Sequence, residues 1–219
     1  SLVEEQLSAA IDRARSKNYV GEAGAAVVVD VKNGNILAMA TYPSYDPRIW
    51  LGGISNEQFE LLSNPKAGIP LISRATQGLF APASTFKSVS VVAAASAGYD
   101  LNATYDCPSQ VEVGTRAFQN FESKALGRIS LKKPIAVSCD TIWYRIAFDE
   151  WLRDGGLKPK SNANDYFYTA AKGFQVGKKT GIDLPSESSG RLADRDWRKS
   201  WYEQNKDFYC SYKERAPKS

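Results

Sequence analysis

Between Pro82 and Gly98 the chain runs Ala83-Ser84-Thr85-Phe86-Lys87 and then, to Ala97, through valines and alanines interrupted only by serine. Proline is favoured at a helix start and glycine just past its end, so the segment predicts one helix. A helix that is apolar nearly all round has no face to give to water and must be enclosed by other elements. It is therefore expected to be central and buried, with a serine at its mouth and a lysine one turn on. A serine hydroxyl needs a base to become a nucleophile near neutral pH. The chain contains no histidine, which closes the serine–histidine–carboxylate solution. A lysine base is the main remaining route, and residues three apart share a helix face.

The 219 residues suit one large domain or two small ones, and a hydrophobic fraction of 43% supplies an ordinary core. Net charge is +4, from 28 basic and 24 acidic residues spread along the chain. The densest basic stretch, Arg195-Asp196-Trp197-Arg198-Lys199, is diluted by acid, so no nucleic-acid partner is expected. Without histidine, and with three cysteines at no C-x-x-C spacing, no metal and no other cofactor is expected. Cys107, Cys139 and Cys210 allow one disulfide and a free thiol, and sequence does not choose the pair. No signal peptide and no bilayer-length apolar run is present. The chain opens in an amphipathic helix (Val3, Leu7, Ala10, Ile11, Ala14) and closes on a polar tail, Tyr212 to Ser219. Both ends read as cut from something longer.

Ala25 to Val31 reads as a buried strand, Lys32-Asn33-Gly34-Asn35 as a hairpin turn and Ile36 to Ala40 as the return strand. Prolines 43 and 47 break regular structure. Asn56 to Ser63 predicts a short helix ended by Asn64-Pro65. Short strands are expected between Asn102 and Leu126, and a helix capped by Ser130 runs to Val137. After a break at Ser138-Cys139-Asp140, Thr141 to Arg153 predicts a helix with Ile142, Trp143, Ile146, Ala147 and Trp151 on one side, ended by Gly155-Gly156. A further helix is expected over Ala163 to Gly173, and the remainder reads as loop-rich. Hairpin, buried helix and then several helices indicate an α+β fold, helices gathered on one side of an antiparallel sheet.

Ser-x-x-Lys is a weak signal alone and occurs at Ser63/Lys66, Ser84/Lys87 and Ser130/Lys133. Pro65 interrupts the first, and Lys132-Lys133 read as solvent-facing. Ser84/Lys87 alone lies in apolar sequence, where burial disfavours an ammonium. A helix N-terminus also offers free N–H groups to an oxyanion at Ser84. The bland alternative is a capping serine and a snorkelling lysine. For Ser138 and Asp140 the alternatives are capping of the Thr141 helix, or a loop whose hydroxyl bridges the lysine and a leaving amine.

These residues sit in a wider pattern. Gly34-Asn35-Ile36-Leu37-Ala38-Met39-Ala40, Tyr42-Pro43-Ser44-Tyr45-Asp46-Pro47, Arg74-Ala75-Thr76-Gln77-Gly78, Pro82 to Lys87, Ser138-Cys139-Asp140-Thr141 and Thr180-Gly181-Ile182-Asp183-Leu184-Pro185 follow in order from about Gly24 to Trp197. The chain resembles the transpeptidase domain of class B penicillin-binding proteins, most closely the penicillin-binding protein 2 group of cell elongation. The family usually has glycine where Ala83 stands. Its third motif, Lys-Ser/Thr-Gly-Thr on an active-site strand, has no match. Lys179-Thr180-Gly181 mimics it, but Pro185 and the serines that follow would end any strand. The chain is thus expected to be a partial transpeptidase domain (1–219), without the pedestal domain, membrane anchor and third-motif strand, and by itself nearly inactive.

The resemblance implies the penicillin-binding and serine β-lactamase type of fold and a D-Ala-D-Ala transpeptidase. Ser84 attacks the peptide bond between the terminal D-alanines of a peptidoglycan stem peptide, neutral Lys87 takes its proton, and Ser138 relays a proton to the departing D-Ala. Asp140 hydrogen-bonds Lys87 or the substrate amide. Implied partners are stem peptides, β-lactam antibiotics, a glycosyltransferase and elongation-complex proteins, at the extracytoplasmic face of a bacterial membrane. A serine β-lactamase or β-lactam sensor, and a non-catalytic scaffold of a wall-synthesis complex, are the alternatives.

Overall fold

The computed structural model describes residues 1–211; the polar tail from Tyr212 to Ser219 lies outside the described residues. The chain divides into two compact units, one of Ser1–Phe80 with Lys179–Ser189 and one of Ala81–Lys178 with the chain from Gly190 onward.

In the first unit, helix α1 (Leu2–Ser16) starts in a capping box between Ser1 and Glu4 and buries Ile11. Strands β1 (Gly24–Val29) and β2 (Ile36–Tyr42) pair antiparallel, Gly24 opposite Tyr42. Their turn closes on Asp30, whose carbonyl accepts the Gly34 N–H at 2.7 Å and whose carboxylate accepts the Lys32 N–H at 2.9 Å. Gly34 has φ +79°, where a side chain would be strained. Helix α2 (Asn56–Ser63), capped by Ser55, buries Leu62. Helix α3 (Arg74–Gln77) is tied to the hairpin by the Arg74 N–H, donated to Thr41 Oγ1 at 2.7 Å.

β1 departs from its expected burial. Val27, Val28 and Val29 remain 44%, 43% and 46% exposed. A continuous apolar run signals a strand covered on both faces, but here α1 and α3 pack on the hairpin and, among the described residues, no third strand joins it.

In the second unit, a 3₁₀ turn over Ala83–Phe86 leads into α4 (Lys87–Ser96), which buries Lys87, Val89, Ser90, Ala93 and Ala94. The expected central helix is thus present, although Val92 is 42% exposed. Strands β3 (Thr104–Cys107), β4 (Gln110–Val113), β5 (Arg116–Gln119) and β6 (Gly127–Ser130) form two antiparallel pairs, β3 with β6 and β4 with β5. Helices α5 (Lys133–Val137), α6 (Thr141–Arg153), α7 (Tyr166–Gly173) and α8 (Arg195–Cys210) follow. The class is α+β, but among the described residues the strands form three separate antiparallel pairs rather than one sheet.

Two apolar clusters hold this unit. In one, Ala94, Ile129, Leu131, Ile142, Trp143 and Ile146 surround a disulfide between Cys107 and Cys139, which leaves Cys210 as an exposed free thiol. In the other, Val89 and Ala93 of α4 meet Ala170 and Ala171 of α7. Small side chains let those helices approach closely, and each large aliphatic buried in the first cluster contributes about 1.5–3 kcal/mol.

Three expectations give way to tertiary contacts. Ser130 does not cap a helix; it ends β6, paired with Thr104, and α5 begins at Lys133 with Pro134 in its first turn. α7 starts three residues later than expected from Ala163, because Asp165 is left-handed (φ +45°) and its N–H is held by Asp154 Oδ2 at 2.8 Å. The stretch read as loop-rich contains α8, capped by Asp194, whose side chain accepts the Trp197 N–H at 2.7 Å. No residue of α8 is buried, and although Trp197 and Trp201 stack one turn apart on one face, the charged residues between them give the segment the polar composition of a loop.

Candidate active site

Ser84, Lys87, Ser138 and Asp140 all belong to the second unit, and its fold brings them together. Ser84 is exposed in the 3₁₀ turn, and Lys87, the first residue of α4, is 5% exposed. Lys87 Nζ donates to Ser138 Oγ at 2.8 Å and pairs with Asp140 Oδ1 at 2.7 Å. Ser138 Oγ lies 3.4 Å from Ser84 Oγ, within hydrogen-bond reach. Lys87 and Ser84 therefore meet through Ser138 rather than by a direct bond. The hydroxyl of Ser138 is the node of the network.

Local structure accounts for each placement. Ser138 ends α5 in the left-handed region, φ +55°, a conformation that costs a residue with a Cβ on the order of 1–3 kcal/mol and clusters at functional sites. Asp140 occupies the cap position of α6 yet makes no capping bond with its side chain; its carboxylate is engaged by Lys87. The capping alternative for Asp140 is thereby set aside. The snorkelling alternative for Lys87 fails too, since 7% of its side chain is exposed. Asp140 keeps 22% exposure, so one edge of the network opens to solvent. One turn along α6, burial and then the charge of Asp140 push the Tyr144 hydroxyl up from its ordinary pKa.

Ala83 has φ +47°, where glycine is at ease and alanine pays about 1 kcal/mol. This gives the glycine usual at this position a physical reason. Ala83→Gly is expected to raise stability by about 0.5 kcal/mol, the relief being partly offset by glycine's unfolded-state entropy. Urea unfolding checks this, and a loss of stability would show that the turn is relaxed.

The other pairs are built differently. Ser63 Oγ turns back to the Phe59 carbonyl at 2.8 Å, and Lys66 lies in a separate 3₁₀ turn. Ser130 is in a strand and Lys133 is exposed. Lys179-Thr180-Gly181 lies in irregular chain of the first unit. Glu187 closes that loop, accepting the Thr180 N–H at 2.7 Å and the Thr180 hydroxyl at 2.6 Å, bonds that hold its carboxyl below the usual carboxylate range. The triplet does not line a strand.

Sequence reasoning passed over Asn120. Its Oδ1 accepts the N–H groups of Asp140 and Thr141 at 2.8 and 3.0 Å. An asparagine after a short strand carries the signature of a turn residue, and nothing local marks it as a partner of a helix twenty residues on.

Residues 24–208 match the penicillin binding protein transpeptidase domain family. The peptidoglycan D,D-transpeptidase MrdA of Escherichia coli K12 is 33% identical over 199 residues, 84% of this chain and 28% of the relative. A chain in the complex between PBP2 and MreC from Helicobacter pylori is similar with a TM-score of 0.70 and 26% identity, over 89% of this chain and 34% of that one. A chain of a peptidoglycan synthase complex, solved for the coordination of polymerization and crosslinking, matches with a TM-score of 0.69 and 29% identity, over 90% of this chain and 33% of that one. This sequence thus spans less than a third of the curated relative, 28%. Among the described residues no helix is long and apolar enough to cross a membrane.

Proposed function

The chain belongs to the penicillin-binding protein transpeptidase family, and we propose that it carries the acylating serine of a peptidoglycan D,D-transpeptidase. The observation that supports this most is the buried amine of Lys87, 2.8 Å from a serine hydroxyl that is itself 3.4 Å from Ser84 Oγ. With the amine neutral, these contacts run as a relay: Ser84 O–H donates to Ser138, and Ser138 O–H donates to Lys87. As Ser84 Oγ attacks the carbonyl between two D-alanines, its proton passes along this line to Lys87. The tetrahedral oxyanion meets the Ser84 N–H, which the first turn leaves without an intrahelical acceptor. Collapse breaks the C–N bond, and Ser138 returns the proton to the departing D-Ala amine. A second stem peptide's amine then attacks the Ser84 ester, forming the cross-link and freeing the hydroxyl. Asp140 holds Lys87 in place throughout.

β-Lactams would acylate the same hydroxyl, since their strained amide opens onto Ser84 without a leaving group that diffuses away. A glycosyltransferase and elongation proteins are proposed partners, as the relatives in the MreC and synthase complexes suggest, and the extracytoplasmic membrane face is the proposed location. The test is labelling of protein carrying this sequence with a fluorescent penicillin, followed by mass mapping. One long-lived adduct per chain, on Ser84 and lost in Ser84→Ala, is the expected result. Undiminished labelling of Ser84→Ala, or an adduct on another side chain, would overturn the assignment; rapid release would indicate a lactamase, and no adduct a scaffold.

A further inference from the structure

Asp140 begins α6 but does not cap it, because its carboxylate is held by Lys87. The leading N–H groups of a helix have no intrahelical partner, and buried ones need an acceptor. Here the acceptor is Asn120 Oδ1, which takes the N–H groups of Asp140 and Thr141 at 2.8 and 3.0 Å. Asn120 is 6% exposed. Its Nδ2 donates to the carbonyls of Pro108 and Lys124, both at 2.8 Å, and reaches Cys107 Sγ at 3.4 Å. Its own N–H donates to the Ser109 carbonyl at 3.0 Å. A flipped amide would set NH₂ against two N–H donors, so the orientation is dictated by the partners. Thr141 Oγ1 donates to the same Pro108 carbonyl at 2.8 Å and so ties the first turn of α6 to the same anchor.

We propose that Asn120 is a positioning residue for acylation at Ser84, an anchor supplied from elsewhere in the chain that fixes the backbone at the start of α6 so that the Asp140 carboxylate reaches Lys87. An aspartate at a helix cap normally turns its oxygen onto the N–H groups of the first turn. If Asp140 did so, it would leave Lys87. Asn120 occupies the N–H groups of Asp140 and Thr141 and fixes the backbone from which the carboxylate projects. The kinetic part of this inference rests on the Ser84 assignment above; the anchoring part does not.

The test is a double-mutant cycle on acylation by a fluorescent penicillin. Asn120→Ala is expected to slow acylation about tenfold through misplacement of Asp140. In an Asp140→Asn background, where no carboxylate remains to be positioned, the same change should cost less than about twofold. The same factor in both backgrounds, or no slowing in the parent background, overturns the proposal. Asn120→Ser keeps a small polar side chain in the same space but lacks the reach to the Asp140 and Thr141 N–H groups, and should slow acylation as the alanine variant does; acylation at the parent rate there overturns the proposal even if the alanine variant does not fold. Amide exchange supplies a readout independent of chemistry. Relative to Ile146 in the same helix, Asp140 and Thr141 should exchange about tenfold faster in Asn120→Ala and in Asn120→Ser than in the parent. If the parent protein is never acylated, the Ser84 assignment fails, and unchanged exchange at these two amides would be what removes the anchor.

Discussion

Lys87→Ala is expected to slow acylation of Ser84 by about 10²–10⁴-fold, the range spanned by loss of a positioned general base. The side chain supplies the proton acceptor and the contact that fixes the Ser138 hydroxyl at 2.8 Å. Its removal also leaves the Asp140 carboxylate without its partner 2.7 Å away, so a slower rate in the alanine variant mixes base loss with local rearrangement. Lys87→Arg separates the two. A guanidinium keeps N–H donors beside Asp140 but stays protonated in proteins and so cannot accept the serine proton. It should therefore acylate as poorly as the alanine variant while unfolding closer to the parent. Single-turnover labelling with a fluorescent penicillin and urea unfolding give the two readouts. A loss below about tenfold in both variants would mean that another group takes the serine proton.

Reduction of the Cys107–Cys139 bridge is expected to lower stability by about 3–4 kcal/mol, from the conformational entropy regained by the unfolded chain over the closed loop. The two cysteines are separated by 32 residues and both are fully buried. The effect reaches the site because Cys139 stands between Ser138 and Asp140, and Thr141 Oγ1 lies 3.6 Å from each sulfur. Acylation should fall along with stability. Urea unfolding with and without reductant measures the change, in a Cys210→Ser background that removes the exposed thiol as a source of exchange. A change under about 1 kcal/mol would mean that the segment between the cysteines is ordered without the cross-link.

What was legible in the sequence was local. α2 spans Asn56–Ser63 and α6 spans Thr141–Arg153, as read, since a capping residue, an apolar period and a Pro or Gly stop are all encoded within a few positions. That Lys87 is buried three residues after Ser84 was legible for the same reason: the spacing lies within one segment, and the valines and alanines beyond it set the burial of the lysine. Ser130 misled because its helix-capping signal was also compatible with the end of a strand, and pairing with Thr104 decided between them. α8 escaped because its aromatic face is embedded in a predominantly charged and polar sequence, none of which is buried.

Chemistry came from residue type and short spacing: a serine, a lysine one turn on, and no histidine to act instead. Those are properties of one segment and survive without coordinates. Which cysteines join, that Ser138 stands between Lys87 and Ser84, that Asp140 gives its carboxylate to Lys87 rather than to its own helix, and that Asn120 holds the backbone where that helix begins, all depend on segments far apart in the chain. Such contacts are selected by burial and by the need of every enclosed donor for an acceptor, and both conditions exist only once the chain has packed.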